Sequence, residues 1–124
     1  MAPSSPSPEP DVFDYALSLA RIGADSGHLE QLVTAYLRQL PQMLPRIAEA
    51  VRRRDPQALR NTAHALSSAT NVVSASRTRA AARRLELMGR NNELAEVETA
   101  HADLCTEVDR LCHALAAFSR AKAR

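Results

Sequence analysis

The chain has no tryptophan, two tyrosines, two phenylalanines and three glycines among its 124 residues. That scarcity, set against abundant Ala, Leu, Arg and Glu, favours helix formers over strand formers and points away from β architectures. No apolar run approaches the length needed to span a bilayer, so membrane insertion is not expected. The first residues carry Pro, Ser and Glu where a secretory signal would carry basic and then apolar residues, so the expected location is cytoplasmic. The formal net charge of +2 is too small to demand a polyanionic partner. Of the two cysteines, Cys105 and Cys112 fall seven residues apart on one expected helix, about 10 Å along its axis. They cannot bridge each other there, and both are expected as reduced thiols.

What is present is helical periodicity. Residues 1–10 are too rich in Pro and Ser to fold and are expected as a tail or linker. A first short helix from about Asp11 carries Val12, Tyr15, Ala16, Leu19 and Ile22 on one side and stops at Gly23, with Asp25 or Ser26 capping the next. The second shows Leu29, Leu32, Val33, Tyr36, Leu37, Leu40, Leu44, Ile47 and Val51 at spacings of three and four. Pro41 and Pro45 interrupt it, which predicts a kink or a split. Asp55-Pro56 starts a third helix running to about Val73.

A fourth, capped by Ser74 or Ser76, runs from Arg77 to about Arg90 with Ala81, Leu85 and Met88 inward and Gly89-Arg90-Asn91-Asn92 as its end. The last places Leu94, Val97, His101, Leu104, Val108, Leu111, Leu115 and Phe118 on one seam. Four long amphipathic segments with short connections, plus a small N-terminal helix, predict an all-α antiparallel four-helix bundle over residues 11–119 and a basic tail at 120–124. Charge is uneven: nine Arg lie between Arg52 and Arg90 against Asp55 and Glu86, whereas no Lys or Arg interrupts Glu93 to Asp109. A bipolar surface is expected.

His64 is the candidate reactive residue. With Leu59, Ala63, Leu66, Thr70 and Val73 forming the apolar stripe, His64 is turned about 100° away from Ala63 and faces outward. Gln57, Arg60, Asn61, Ser67, Ser68 and Asn71 make a polar stripe around it. A neutral imidazole can attack phosphorus and form a covalent phosphoramidate, and Arg60, one turn upstream, can pair with phosphoryl oxygens. His101, with Cys105, Cys112 and His113 beyond it, has the residue types of a metal site. Because it falls on the apolar seam and one helix cannot wrap an ion, a buried core histidine is expected instead, and no metal. Arg77, Arg79, Arg83 and Arg84, with Arg52 to Arg54, form a basic cluster, but aromatics for stacking bases are few, and nucleic acid is not the expected partner.

The run His64-Ala65-Leu66-Ser67-Ser68-Ala69-Thr70-Asn71-Val72-Val73-Ser74-Ala75 resembles the signature of histidine-containing phosphotransfer (HPt) domains, which in outline reads His-x-Leu-Lys-Gly-Ser, then Gly-Ala. Leu40-Pro41-Gln42-Met43-Leu44, Arg54-Asp55-Pro56 and Leu85-Glu86 also fall where such domains place comparable residues, so the resemblance covers about Asp11 to Phe118. It implies a bacterial two-component phosphorelay in which His64 accepts a phosphoryl group from a receiver-domain aspartate and passes it to another receiver.

The same resemblance implies response-regulator receivers and a hybrid sensor kinase as partners, a monomer, no autonomous catalysis, no intrinsic cofactor, and Mg²⁺ held by the receiver. Ser67 stands where the family has Lys, Ser68 where it has Gly, and Ser74 where it has the Gly before Ala75. Arg60, Arg79 or Arg83 is then the expected cation beside the phosphoryl group, with Asn61, Ser67, Ser68 and Asn71 as the docking surface. The rival reading is an HPt-like interaction module that binds a receiver or other regulator without carrying phosphate. A basic nucleic-acid adaptor is the third.

Overall fold

Five helices follow one another along the chain: α1 (Tyr15–Arg21), α2 (Ser26–Arg53), α3 (Pro56–Ala69), α4 (Ser76–Asn91) and α5 (Val97–Lys122). The computed structural model describes residues 12–21, 23, 26–71 and 73–122. No strand occurs among them. The tail expected at residues 1–10, the start at Asp11 and the cap expected from Asp25 or the Ser26 side chain lie outside the described residues. The long helices form the predicted bundle: α3 packs chiefly on α4, α2 lies on α3 and α5, and α4 closes the ring on α5.

The core is aliphatic. Leu29, Val33, Leu40 and Ile47 of α2, Leu59, Ala63 and Leu66 of α3, Ala82 and Leu85 of α4, and Leu104, Leu111 and Leu115 of α5 are all buried. Each Leu, Ile or Val buried this way contributes about 1.5 to 3 kcal/mol. Phe13, which the N-terminal pattern omitted, is also buried. Its ring meets Phe118 edge-on, with centroids 5.7 Å apart and planes at 82°, so the residues before α1 are pinned to the end of α5.

α2 is one continuous helix with Pro41 and Pro45 inside it, so the alternative of a split into two helices does not occur. Both prolines are exposed. On that side, carbonyls left without a helical donor can be hydrated, and the helix continues past them. The turn to α3 places Arg54 at φ 50°, a left-handed conformation that costs a non-glycine residue about 1 kcal/mol. Its guanidinium reaches Glu98 Oε2 at 3.0 Å and the Leu94 carbonyl at 3.0 Å, tying this turn to the start of α5. α3 then starts as predicted, with Asp55 accepting from the Ala58 amide at 3.1 Å and Pro56 in the first turn.

α3 ends at Ala69, short of the expected Val73. The Thr70 hydroxyl donates to the carbonyls of Leu66 at 3.2 Å and Ser67 at 3.0 Å, and the chain then turns through Ser74 at φ 53°. Val73 and Ala75 are buried in this turn rather than in a helix. Neither serine caps α4: the cap position is Ala75, with no side-chain hydrogen bond. α4 ends within the expected Gly89–Asn92 run, with Asn92 as the left-handed residue at φ 54°. Gly89 is buried inside the helix. A Cβ there would stand 2.5 Å from the Pro56 carbonyl oxygen and 2.7 Å from the Arg60 nitrogen.

That close approach rotates α4 relative to expectation. Its buried residues are Thr78, Ala82, Leu85, Glu86 and Gly89, whereas Ala81 and Met88 are only half-buried. In α5 the seam runs through Ala100 rather than His101, which is half-buried, and Leu94 precedes the helix. Part of the basic segment pairs with the acidic one across neighbouring helices. Arg77 meets Glu107 at 3.1 Å and Arg84 meets Asp103 at 3.2 Å, because α4 and α5 bring the basic and acidic segments side by side.

Candidate functional site

His64 stands on the outward face of α3 with 64 % of its side chain exposed, as its position on the wheel predicts. Its Nδ1 lies 3.0 Å from Oε2 of Glu86, whose side chain is only 4 % exposed. Glu86 is brought there by the α3–α4 hairpin, and the Gly89 contact one turn later keeps the two backbones close. Arg90 reaches the same Oε2 at 3.5 Å from the next turn of α4. The other carboxyl oxygen, Oε1, is buried without a hydrogen-bond partner.

A carboxylate oxygen can only accept, so the tautomer that satisfies this contact carries its proton on Nδ1. Nε2 is then left with its lone pair as the free nucleophilic nitrogen. The ring is held by one hydrogen bond on its buried side and is open to solvent on the rest, an arrangement suited to attack on an approaching electrophile. A carboxylate beside the ring also stabilises positive charge on it, as in acid-base triads where an aspartate orients a histidine.

The sequence-predicted residues divide between two neighbouring hollows. Arg60, Asn61, His64, Glu86 and Arg90 line one. Ser67, Ser68, Asn71, Arg79 and Arg83 line the other. Arg60 and Asn61 are exposed one turn before His64, Ser68 is exposed, and Ser67 is half-buried. Arg79 is not beside His64. Its Nη1 donates to Asn71 Oδ1 at 3.2 Å, and Asn71 lies seven residues on, about 10 Å along the helical rise. Asn71 also accepts from Arg21 Nη1, at 2.7 Å through its carbonyl and 3.0 Å through its side chain. Asn71 therefore joins α1, α3 and α4 rather than lying open as a docking residue.

Glu86 and Arg90 are the residues that sequence reasoning did not place at the site. A signal existed for the first: Glu86 is the one acidic residue in the arginine-rich α4. Its direction depends on which face of α4 meets α3, and the few apolar side chains of that helix define this poorly.

Away from His64, His101 Nε2 lies 3.5 Å from Cys105 Sγ. Among the described residues no three His, Cys, Asp or Glu side chains gather to hold a metal ion, and no helix is long and apolar enough to cross a membrane. Cys105 and Cys112 are free thiols. Burial, with Asp109 adding to it, pushes the Cys112 thiol above its ordinary pKa.

The Hpt domain family model matches residues 31–118, well over half of the chain and the whole stretch carrying His64 and Glu86. No curated protein and no solved structure matches.

Proposed function

The chain belongs to the Hpt domain family, and from that premise we propose that it carries a phosphoryl group on His64 between two receiver domains. Members of the family serve histidine phosphotransfer in phosphorelays, with receiver domains as partners. The observation that carries the reading to this residue is the bond between His64 Nδ1 and Glu86 Oε2 at 3.0 Å on an otherwise exposed ring.

In the forward step Nε2 attacks the phosphorus of a receiver's aspartyl phosphate. The Nε2–P bond forms, the P–O bond to the aspartate breaks, and that electron pair leaves with the aspartate carboxylate. Nδ1 keeps its proton, so the ring becomes cationic, and Glu86 offsets that charge. In the second step an aspartate of the next receiver attacks the same phosphorus, and the Nε2–P electron pair returns to the ring. Mg²⁺, held by the receiver, supplies charge neutralisation at the phosphoryl oxygens. Arg60 lines the same hollow as the ring and Arg83 lines the other, and both favour an acidic partner face. The chain acts as a carrier with no autonomous catalysis, and as a monomer in the cytoplasm.

The test is transfer of label from a phosphorylated receiver domain. Wild-type protein is expected to become labelled, with the acid-labile and alkali-stable behaviour of a phosphoramidate, and His64→Gln to remain unlabelled. Label retained by His64→Gln overturns the assignment. A receiver that binds wild type without ever labelling it favours the interaction-only module, which the replacement of the family's Lys and Gly by Ser67 and Ser68 keeps open.

A further inference from the structure

His101 and Cys105 stand one turn apart on α5, with Nε2 of the histidine 3.5 Å from Sγ of the cysteine. Ala100, Leu104 and Val108 take the inward positions, so the imidazole and thiol fall where the helix passes from core to solvent, both half-buried. α4 covers the flank that carries Asp103 and Glu107, through Arg84 and Arg77. On the helical wheel His101 and Cys105 lie on the other flank, beside the exposed Ala102 and Asp109. The phosphocarrier chemistry uses neither side chain.

Imidazole nitrogen and thiolate sulfur are the ligands of zinc and similar divalent ions. A tetrahedral zinc ion holds the sulfur at about 2.3 Å and the nitrogen at about 2.0 to 2.1 Å, which places the two ligand atoms about 3.5 Å apart. His101 and Cys105 already stand at that separation. One chain supplies only two of the four ligands of a closed site, and among the described residues no third metal-binding side chain gathers beside them. A second copy related by a two-fold axis brings the same pair and completes a set of two thiolates and two imidazoles. Ala102, next to the pair, is small and exposed, so the second helix can come close. Among the described residues no large apolar side chain of α5 is exposed, so association at this face depends on the ion rather than on an apolar patch.

From this spacing and this shortfall of ligands we infer that His101 and Cys105 are half of a metal site, and that a tetrahedral divalent ion of the zinc class joins two copies of the chain through α5. On binding, each Cys105 thiol gives its proton to solvent and a sulfur lone pair to the ion. Each His101 binds through the Nε2 lone pair, with its proton on Nδ1. The two thiolates balance the charge of the ion. Nothing in this assembly depends on the phosphocarrier reading. α5 packs on α2 and α4 and makes no comparable contact with α3, so His64 stays open in both copies. The ion-free chain is the monomer, and the ion-bound pair presents two such histidines on one particle.

Zinc and cobalt(II) titrations of the full chain, kept reduced with a phosphine that has no thiol, test the site by sedimentation and by absorption. The expected result is a single-chain mass in EDTA and a doubled mass with zinc. Cobalt(II) spectra should show thiolate charge transfer that saturates at one ion per two chains. His101→Ala and Cys105→Ser should remove both signals, whereas Cys112→Ser and His64→Gln should keep them. Thermal melts in EDTA check that each variant is folded, and Cys105→Ala replaces Cys105→Ser if the serine variant does not fold. Saturation at one ion per chain without a change of mass overturns the shared site. A zinc-dependent doubling that survives loss of the Cys105 thiol overturns the choice of ligands. Cobalt(II) binding without thiolate charge transfer, or no binding at all, overturns the inference as a whole.

Discussion

Nδ1 of the exposed His64 lies 3.0 Å from Oε2 of the buried Glu86, a residue 22 positions later on the next helix. The pair joins one group that must meet a partner to one that is shielded from water. Its cost falls on Glu86, which leaves Oε1 buried and without a partner. Burying a carboxylate that is only partly hydrogen-bonded is unfavourable, so function and stability oppose each other at this position.

Glu86→Leu is therefore expected to separate the two. Leucine fills similar volume with no polar atom to satisfy, so the melting temperature should hold or rise by a few degrees. Receiver-dependent labelling of His64 should slow by about 10- to 100-fold, because the ring loses the group that fixes its tautomer and orientation. A thermal melt and a labelling time course on the same preparation check both. An unchanged labelling rate would remove Glu86 from the mechanism.

Gly89→Ala is expected to destabilise the fold by about 1 to 3 kcal/mol, the usual range for overpacking a tight interior. The added methyl would meet backbone atoms of Pro56 and Arg60 at 2.5 and 2.7 Å, and backbone cannot rotate aside as a side chain does. Urea unfolding gives the size of the loss. Because α4 must move away from α3, the shift of the His64 ring resonances in NMR spectra should change as well.

Ser74→Gly is expected to stabilise the protein. Ser74 holds φ 53° and its hydroxyl is buried without a partner. Glycine removes a left-handed strain of about 1 to 2 kcal/mol and the orphaned hydroxyl, against a chain-entropy cost of about 0.5 to 1 kcal/mol. The net gain should approach about 1 kcal/mol in urea unfolding. A loss of stability would mean that the hydroxyl has a role in the turn.

Cys112 is expected to react slowly with iodoacetamide near neutral pH. Its thiol is raised above the ordinary value of 9.0 by burial and by Asp109, so at pH 8 a smaller fraction is thiolate than in a free cysteine. The rate should climb with pH through and beyond the free-thiol range. Measuring it on Cys105→Ser isolates the signal, and a rate at pH 8 equal to that of a small free thiol would contradict it.

Much of the bundle was legible because its long helices carry their own pattern. α2 shows aliphatic residues every three or four positions over 28 residues, and Asp55-Pro56 marks the start of α3 by local chemistry alone. α4 was legible only as a helix. Leu85, Leu87 and Met88 are its only large apolar side chains, too few to define a face, so the inward stripe expected at Ala81 and Met88 turned out to run through Ala82, Glu86 and Gly89. His101 was misplaced for a related reason: Ala100 is a weak pattern residue, and the seam shifted by one position onto it.

The sequence by itself determined the helical class, the existence and order of the long helices, and the outward direction of His64, because each depends on residues within a few turns of one another. Tertiary structure alone decided what His64 meets. Gly89 has to pack on the backbone of Pro56 and Arg60 before Glu86 can face the ring. Asn71 has to receive Arg21 and Arg79 from two other helices before the site's edge is formed. These contacts cross helices, and the crossing is set by close packing that no local spacing records.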